Sequence, residues 1–221
     1  MGELSRHLEF IRTYLPKYLS PEQQENLFSC IKEDFPYSTN PSKIYFKLDN
    51  ISVFYQGDVI IDIPFAQWDS KSSSFVTKYY TAAIISNTCD IKPENERIQD
   101  PNVTLAAVFS LAKYVELLKK RNISMGRINS FLDSLKKNRI SNLFYLAEVR
   151  QNSQIILEES LIRFDFTASI PISLLNSEAY NRDYFPNGDR KVTFSDYGFY
   201  LFLFKLSVHY CRFREGVFRS S

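Results

Sequence analysis

Apolar positions along this chain change their spacing twice. Leu4, Leu8, Ile11 and Leu15 recur at helical intervals and predict an amphipathic helix over residues 3–15, ended by Pro16. Ser20-Pro21-Glu22-Gln23 marks a second helix start: a capping hydroxyl, a proline at the first helical position and a Gln that completes a capping box. Leu27, Phe28 and Ile31 give that helix an apolar face. The segment from Pro36 to Ser42 holds two prolines, two serines, a Thr and an Asn, and reads as a linker. Residues 1–36 are therefore expected as a helical hairpin and residues 43–221 as the main domain.

From Ile44 the period falls to two. Ile44, Phe46 and Leu48 alternate with Tyr45, Lys47 and Asp49, and Val53, Tyr55, Val59, Ile61 and Ile63 continue the strand character. Gly57-Asp58 predicts a bulge or bend, and Pro64 is expected to close the strand. After a serine-rich loop from Asp69 to Ser74, further strands are predicted at Tyr79 to Ser86 and Val103 to Val108. Three strands joined without helices favour a barrel or an open antiparallel sheet over parallel βαβ units. The helical period then returns. Val108, Leu111, Ala112, Val115 and Leu118 share one face, and Ile128, Phe131, Leu132 and Leu135 fit the same template. Leu143 to Val149 and Leu161 to Phe166 read as strands, Ser173 to Tyr180 as a short helix, Asn187-Gly188-Asp189 as a turn, and Ser195 to Phe213 as an aromatic core helix.

Composition narrows this picture only modestly. The chain has 221 residues, of which 44% are hydrophobic and 24% charged, ordinary values for a globular domain. A formal net charge of +2 does not demand a polyanionic partner, so any nucleic-acid reading rests on local clustering. The 19 Phe and 14 Tyr fit a thick core or a base-stacking surface. Cys30, Cys89 and Cys211 are too few and scattered for a disulfide framework, which points to a reducing cytoplasm. Met1 to Arg6 is too polar for a signal peptide, and the apolar run Phe199 to Phe204 is too short to span a bilayer, so no membrane association is expected.

Gly57-Asp58-Val59-Ile60 followed by Pro64, then Ala82-Ala83-Ile84-Ile85-Ser86-Asn87, Val103-Thr104-Leu105-Ala106-Ala107-Val108 and Ser160-Leu161-Ile162-Arg163-Phe164-Asp165 leading to Ile172-Ser173-Leu174-Leu175, resemble the successive strands of the PemK/MazF-like toxins. These are SH3-like barrels that act as endoribonucleases in toxin–antitoxin pairs. The resemblance covers residues 54–110 and 143–213. It implies an α+β architecture: an SH3-like antiparallel β-barrel with an N-terminal helical hairpin, a helical insertion over about 111–142 and a C-terminal helix. It also implies RNA or DNA and a protein partner, an antitoxin or a subunit of a phage-defence complex, with a homodimer as an open alternative. The family's catalytic arginine precedes a proline at the start of the second strand, where this chain has Tyr80-Thr81 with Lys78 nearby. Its catalytic hydroxyl falls at Phe109, with Ser110 adjacent.

Metal-independent RNA cleavage needs a base for the 2′-hydroxyl and a cation for the phosphorane. Asp90, Lys78 and Ser110 are the candidate catalytic residues, and Ser86, Asn87, Thr88 and Cys89 line the expected barrel mouth. The competing reading makes Ser86 to Asp90 a turn that leaves a strand. Cys89 as a nucleophile needs a base, and the two histidines, His7 and His209, lie far off in sequence, so a buried inert thiol is the other reading. No cysteine–histidine spacing suggests zinc, and no cofactor is called for. Lys119, Lys120, Arg121, Arg127, Lys136, Lys137 and Arg139 form a basic cluster that could meet a phosphate backbone or simply face solvent, and Arg212, Arg214 and Arg219 add a basic C-terminal end. The function expected is that of a divergent PemK/MazF-like protein that binds RNA, with or without cleaving it. The alternative is a non-catalytic protein-interaction subunit.

Overall fold

A computed structural model describes residues 20–34, 54–91, 101–175 and 190–211. The expected helix at 3–15, the linker, the alternating segment from Ile44 to Val53, the Asn187-Gly188-Asp189 turn and the basic residues after Cys211 lie outside them. Helix α1 (Pro21–Asp34) begins where the capping box requires. The Ser20 amide donates to Gln23 Oε1 at 2.8 Å, and the Gln23 amide donates back to Ser20 Oγ at 3.2 Å. The side chains of Leu27, Phe28 and Ile31 are outside the described set.

The main domain is built on β1 (Val59–Asp69), β2 (Ser74–Ile84), a short α2 (Thr88–Ile91) and β3 (Asn102–Ser110). A helical pair follows, α3 (Leu111–Lys120) and α4 (Met125–Lys136). Next come β4 (Leu143–Leu146), β5 (Val149–Gln151), β6 (Gln154–Leu157), β7 (Ser160–Pro171), a 3-10 turn at Ile172–Leu174, β8 (Arg190–Val192) and α5 (Asp196–Cys211). Six strands form one sheet in the order β4-β7-β3-β2-β1-β8, with every neighbouring pair antiparallel. β5 and β6 form a separate ribbon. Asn152 and Ser153, both at positive φ (47° and 66°), make the two-residue turn whose twist matches such a hairpin.

The sheet does not close into the expected barrel. Among the described residues its edges, β4 and β8, do not pair with each other. The reason lies in the central strands, which bury both faces. Ala83, Ala106, Val108, Ile162 and Phe164 pack under α5 with Leu201, Phe202 and Leu206. Ala82, Ile84, Leu105 and Ala107 face the opposite way and pack with Ile91, Ile170, Ile172 and Leu175. A small barrel has one interior. This sheet has a core on each side, so Ala82-Ala83-Ile84-Ile85 is buried without alternation. A third cluster (Leu111, Leu135, Leu143, Tyr145, Leu161) seats the helical pair on β4 and β7.

Several boundaries differ from the sequence reading: β2 opens at Ser74 rather than Tyr79, and β7 runs on to Pro171 rather than stopping at Phe166. Pro64 does not end β1, which runs on to Asp69. β8 pairs only with Val59 and Ile60, so beyond them β1 is an edge among the described residues, where a missing N–H costs no ladder bond. The register also slips between Ile60 and Ile63, with Asp62 at φ 58°, so Val59, Ile60 and Ile63 are fully buried and Ile61 is not. The expected strand Leu143 to Val149 is divided between β4 and β5, and the expected helix from Ser173 is, as far as it is described, a 3-10 turn. The helical insertion and the C-terminal helix stand where the periodicity put them, although Val108 belongs to β3 rather than to α3.

Candidate functional site

The candidate catalytic residues fall at opposite ends of the sheet. β2 descends from Ser74, Thr81 faces Val108, and Ile84 faces Leu105. Lys78 and Ser110 therefore share the upper end. Asp90 follows the lower end of β2, roughly 20 Å from Lys78 at about 3.3 Å per strand residue. Lys78 is exposed opposite Phe65, and Asp90 is exposed in α2. Ser110 caps α3, where its Oγ accepts weakly from the Lys113 amide at 3.5 Å and donates to Glu158 Oε2 at 2.9 Å. The fold does not assemble Asp90, Lys78 and Ser110 into one centre.

The expected mouth residues hold the lower end together. Ser86 Oγ accepts from the Thr104 amide at 2.8 Å, Thr88 Oγ1 from the Gln56 amide at 3.0 Å, and Asn87 Oδ1 from the Cys89 amide at 2.9 Å. Cys89 is exposed, not buried. The Ser86 contact ties the segment to β3, while that of Thr88 fastens the bend before β1. There Gln56 Nε2 donates to the Ile85 carbonyl at 2.8 Å, and the Gly57 amide to the Ile84 carbonyl at 2.7 Å. Gly57 holds φ at 93°, and a Cβ there would lie 2.4 Å from the Phe194 ring. Asp58, fully buried, accepts from the Tyr55 amide at 2.9 Å and from Arg190 at 3.1 Å. Burial pushes its carboxyl above the usual range, and hydrogen bonds, those from Tyr55 and Arg190 among them, pull it back. Ser86 to Asp90 thus behaves as the structural turn of the competing reading.

A different group converges on the upper half of the sheet. Phe65, Tyr80, Phe109 and Phe166 form one ring cluster with centroids 5.3–5.8 Å apart. Gln67 Nε2 donates to the Tyr80 hydroxyl at 2.6 Å. The Arg163 guanidinium lies 5.9 Å from the Phe109 centroid and 5.7 Å from that of Phe166, and its Nε and NH2 donate to Asp165 at 3.1 and 2.8 Å. The Asp165 hydrogen bond raises the arginine's already high pKa, and the same contact lowers the carboxyl. A register break in β7 makes this possible: Ala106 faces Thr167 while the next residue, Ala107, faces Arg163. The extra residues send Phe164 under α5 and Phe166 to the ring cluster. Sequence reasoning passed over Arg163. The available signal was an arginine inside an apolar strand with an aspartate two residues on, a spacing that puts both on one face.

The seven cations separate. Lys119, Lys120, Arg121 and Arg127 gather at the exposed tip of the α3–α4 pair. Lys136, Lys137 and Arg139 stand at the other end of α4, about 18 Å away along the helix. There Lys136 binds Glu159 at 2.7 Å and Lys137 binds Asp133 at 2.6 Å. Glu159 also accepts from the Tyr145 hydroxyl, whose pKa is raised by burial and by that carboxylate. Among the described residues no three His, Cys, Asp or Glu side chains are close enough to hold a metal ion, and no helix is long and apolar enough to cross a membrane. No family model matches the chain, and neither does a curated protein or a solved structure.

Proposed function

We propose that the chain binds single-stranded RNA through the ring cluster around Arg163, as a divergent relative of the PemK/MazF-like toxins in a bacterial toxin or phage-defence module of the cytoplasm. One observation carries this reading. Tyr80 and Phe109, at the two positions where the resemblance calls for a catalytic arginine and a hydroxyl, are in contact at 5.5 Å, and Arg163 reaches their cluster from β7. Phe65 is fully buried, but Tyr80, Phe109 and Phe166 are half-buried; such rings stack on bases of any sequence, and a guanidinium beside them serves a base face or a phosphate. The tip cations of α3–α4 add a backbone contact without sequence preference. SH3-like ancestry of the strands belongs to the same proposal. Binding, rather than cleavage, is the activity proposed, because Asp90 stands apart from Lys78 and Ser110.

Anisotropy of a labelled single-stranded RNA tests it. Arg163→Ala should weaken binding about 10-fold, the scale of one stacked or ion-paired contact. Lys119→Ala with Lys120→Ala and Arg121→Ala should flatten the salt dependence by about two units of slope (about 0.7 per phosphate on a single strand). No binding at 50 mM salt would reject the reading. RNA cleavage abolished by Lys78→Ala would restore catalysis. The second reading, a protein-interaction subunit, is favoured by a separate feature, the exposed aromatic face of the β1–β2 hairpin.

A further inference from the structure

The Arg163–Asp165 pair limits what kind of contact the ring cluster can offer. Both residues emerge from β7 on one face. Arg163 faces Ala107, on the side of the sheet away from α5, and Phe164 between the pair packs under α5. The register break then turns the next residue, Phe166, to the same face as Asp165. The guanidinium lies beside two half-buried rings, 5.9 Å from the Phe109 centroid and 5.7 Å from that of Phe166, and the arginine side chain is 33% exposed. Asp165 occupies one whole edge of it. Nε donates to Oδ1 at 3.1 Å and Nη2 to Oδ2 at 2.8 Å. The Arg163 hydrogen bond also holds the Asp165 carboxyl below its usual range, so at neutral pH it is a charged acceptor. A guanidinium has five N–H donors in a fixed plane. With Nε–H and one N–H of Nη2 engaged, the next edge presents one N–H of Nη1 and one of Nη2, parallel and side by side.

We infer that Arg163, braced by Asp165, reads a guanine of the bound strand through O6 and N7 of the base. This rests on the RNA-binding reading and adds a base preference to it. Two parallel donors call for two adjacent acceptors, and guanine offers O6 and N7. Adenine sets an amino donor beside N7, and uracil sets N3–H beside each carbonyl. Cytosine offers N3 and O2, but its single ring covers less of Tyr80, Phe109 and Phe166 than a purine does. A phosphate also has paired acceptors, yet it would bring its negative charge up to the Asp165 carboxylate, where like charges repel. Lys78 is the better phosphate partner. It is exposed and, as the cross-strand neighbour of Phe65, lies on the ring-cluster face. Neutralised by Asp165, Arg163 loses generic attraction and keeps its fixed donor geometry. In this it differs from the tip cations of α3–α4, which are blind to sequence.

Anisotropy with short strands of uracil that carry a central G, A, C or U tests it. The G strand should bind about 10-fold more tightly than the A or U strand, with C between them. A central 7-deazaguanine lacks N7 but keeps the ring system and the Watson–Crick edge, and should erase most of the gain. Arg163→Lys keeps the charge and loses the paired donors, and should bind all four strands within about 2-fold of one another. Asp165→Asn leaves the arginine charge uncompensated. It should bind the U strand more tightly than the unaltered chain does, with a salt slope steeper by about 0.7 and a smaller G preference. Equal binding of the four strands by the unaltered chain overturns the guanine contact and leaves RNA binding standing. A G preference that survives 7-deazaguanine or Arg163→Lys does the same. Failure to bind any strand at 50 mM salt overturns both. Guanosine monophosphate that displaces the G strand at the strand's own concentration overturns the strand as the source of the base.

Discussion

The two ends of β1 answer to different demands. At the lower end Val59 and Ile60 are fully buried, one on each face, and the bend before them is fastened by Gln56, Gly57 and Asp58. Nine residues after Val59, on the same strand, Trp68 is 60% exposed. The difference follows from the neighbours. Below, β1 lies between β2 and β8 with packed side chains above and beneath. Above, among the described residues, it pairs only with β2. A strand that outruns its sheet keeps its backbone ladder through one partner, while its side chains are released from the core. Stability is concentrated at one end, and surface for recognition is available at the other.

Substitutions at the lower end should therefore cost most. Gly57→Ala forces a side chain into positive φ and against a Phe194 ring that Phe144 and Phe202 hold in place, and should lose about 4 kcal/mol in urea unfolding. A loss below 1 kcal/mol would break the contrast. Asp58→Ala takes its carboxylate from Arg190, whose side chain is only 11% exposed, and should lose about 3 kcal/mol by the same measurement. A smaller, pH-dependent effect comes from α5, which covers the face of the sheet that holds Ala83, Ala106 and Phe164. Lys205 is buried and donates to the carbonyls of Asn138 and Ile140 at 2.8 and 2.7 Å. Burial lowers its pKa to about 8. Between about pH 8 and 10 the unfolded chain keeps a proton that the folded chain has lost, so stability should rise with pH there, by roughly 2 kcal/mol. Lys205→Met should remove that rise, and a parallel pH profile for the variant would show that the amine is not its source. At the upper end Phe75→Ser should change stability by less than about 0.5 kcal/mol. A larger loss would mean that the hairpin face is core after all.

What the sequence disclosed follows the range of the interactions involved. The α1 start was readable because Ser20 and Gln23 are three residues apart and satisfy each other. β3, α5 and the buried end of β2 were readable because their apolar runs announce burial whatever they pack against, whereas the exposed residues Ser74 to Lys78 of β2 carry no such run. The open sheet was not, because Ala82-Ala83-Ile84-Ile85 looks the same inside a barrel as between two layers. Pro64 misled because its tolerance depends on β8 stopping at Ile60, more than a hundred residues away in sequence. The ring cluster was hidden for the same reason. Phe65, Tyr80, Phe109 and Phe166 come from four strands, and only the register break in β7 aims Phe166 at the other three. Asp90 drew notice as a carboxylate beside a thiol, and only the strand order shows how far it stands from Lys78.

The place of the α3–α4 pair between β3 and β7 bears on how fast the chain can fold. β1 and β2 close over a four-residue turn, whereas Ser110 and Ser160 must meet across roughly 50 residues, an extra loop-closure cost of about 2 kcal/mol. Helices form in about a microsecond, and a docked α3–α4 pair shortens the span left to close. The order this predicts is hairpin and helices first and the β3–β7 ladder last. Substitutions such as Ala107→Gly in that ladder should then speed unfolding and leave the refolding rate nearly unchanged.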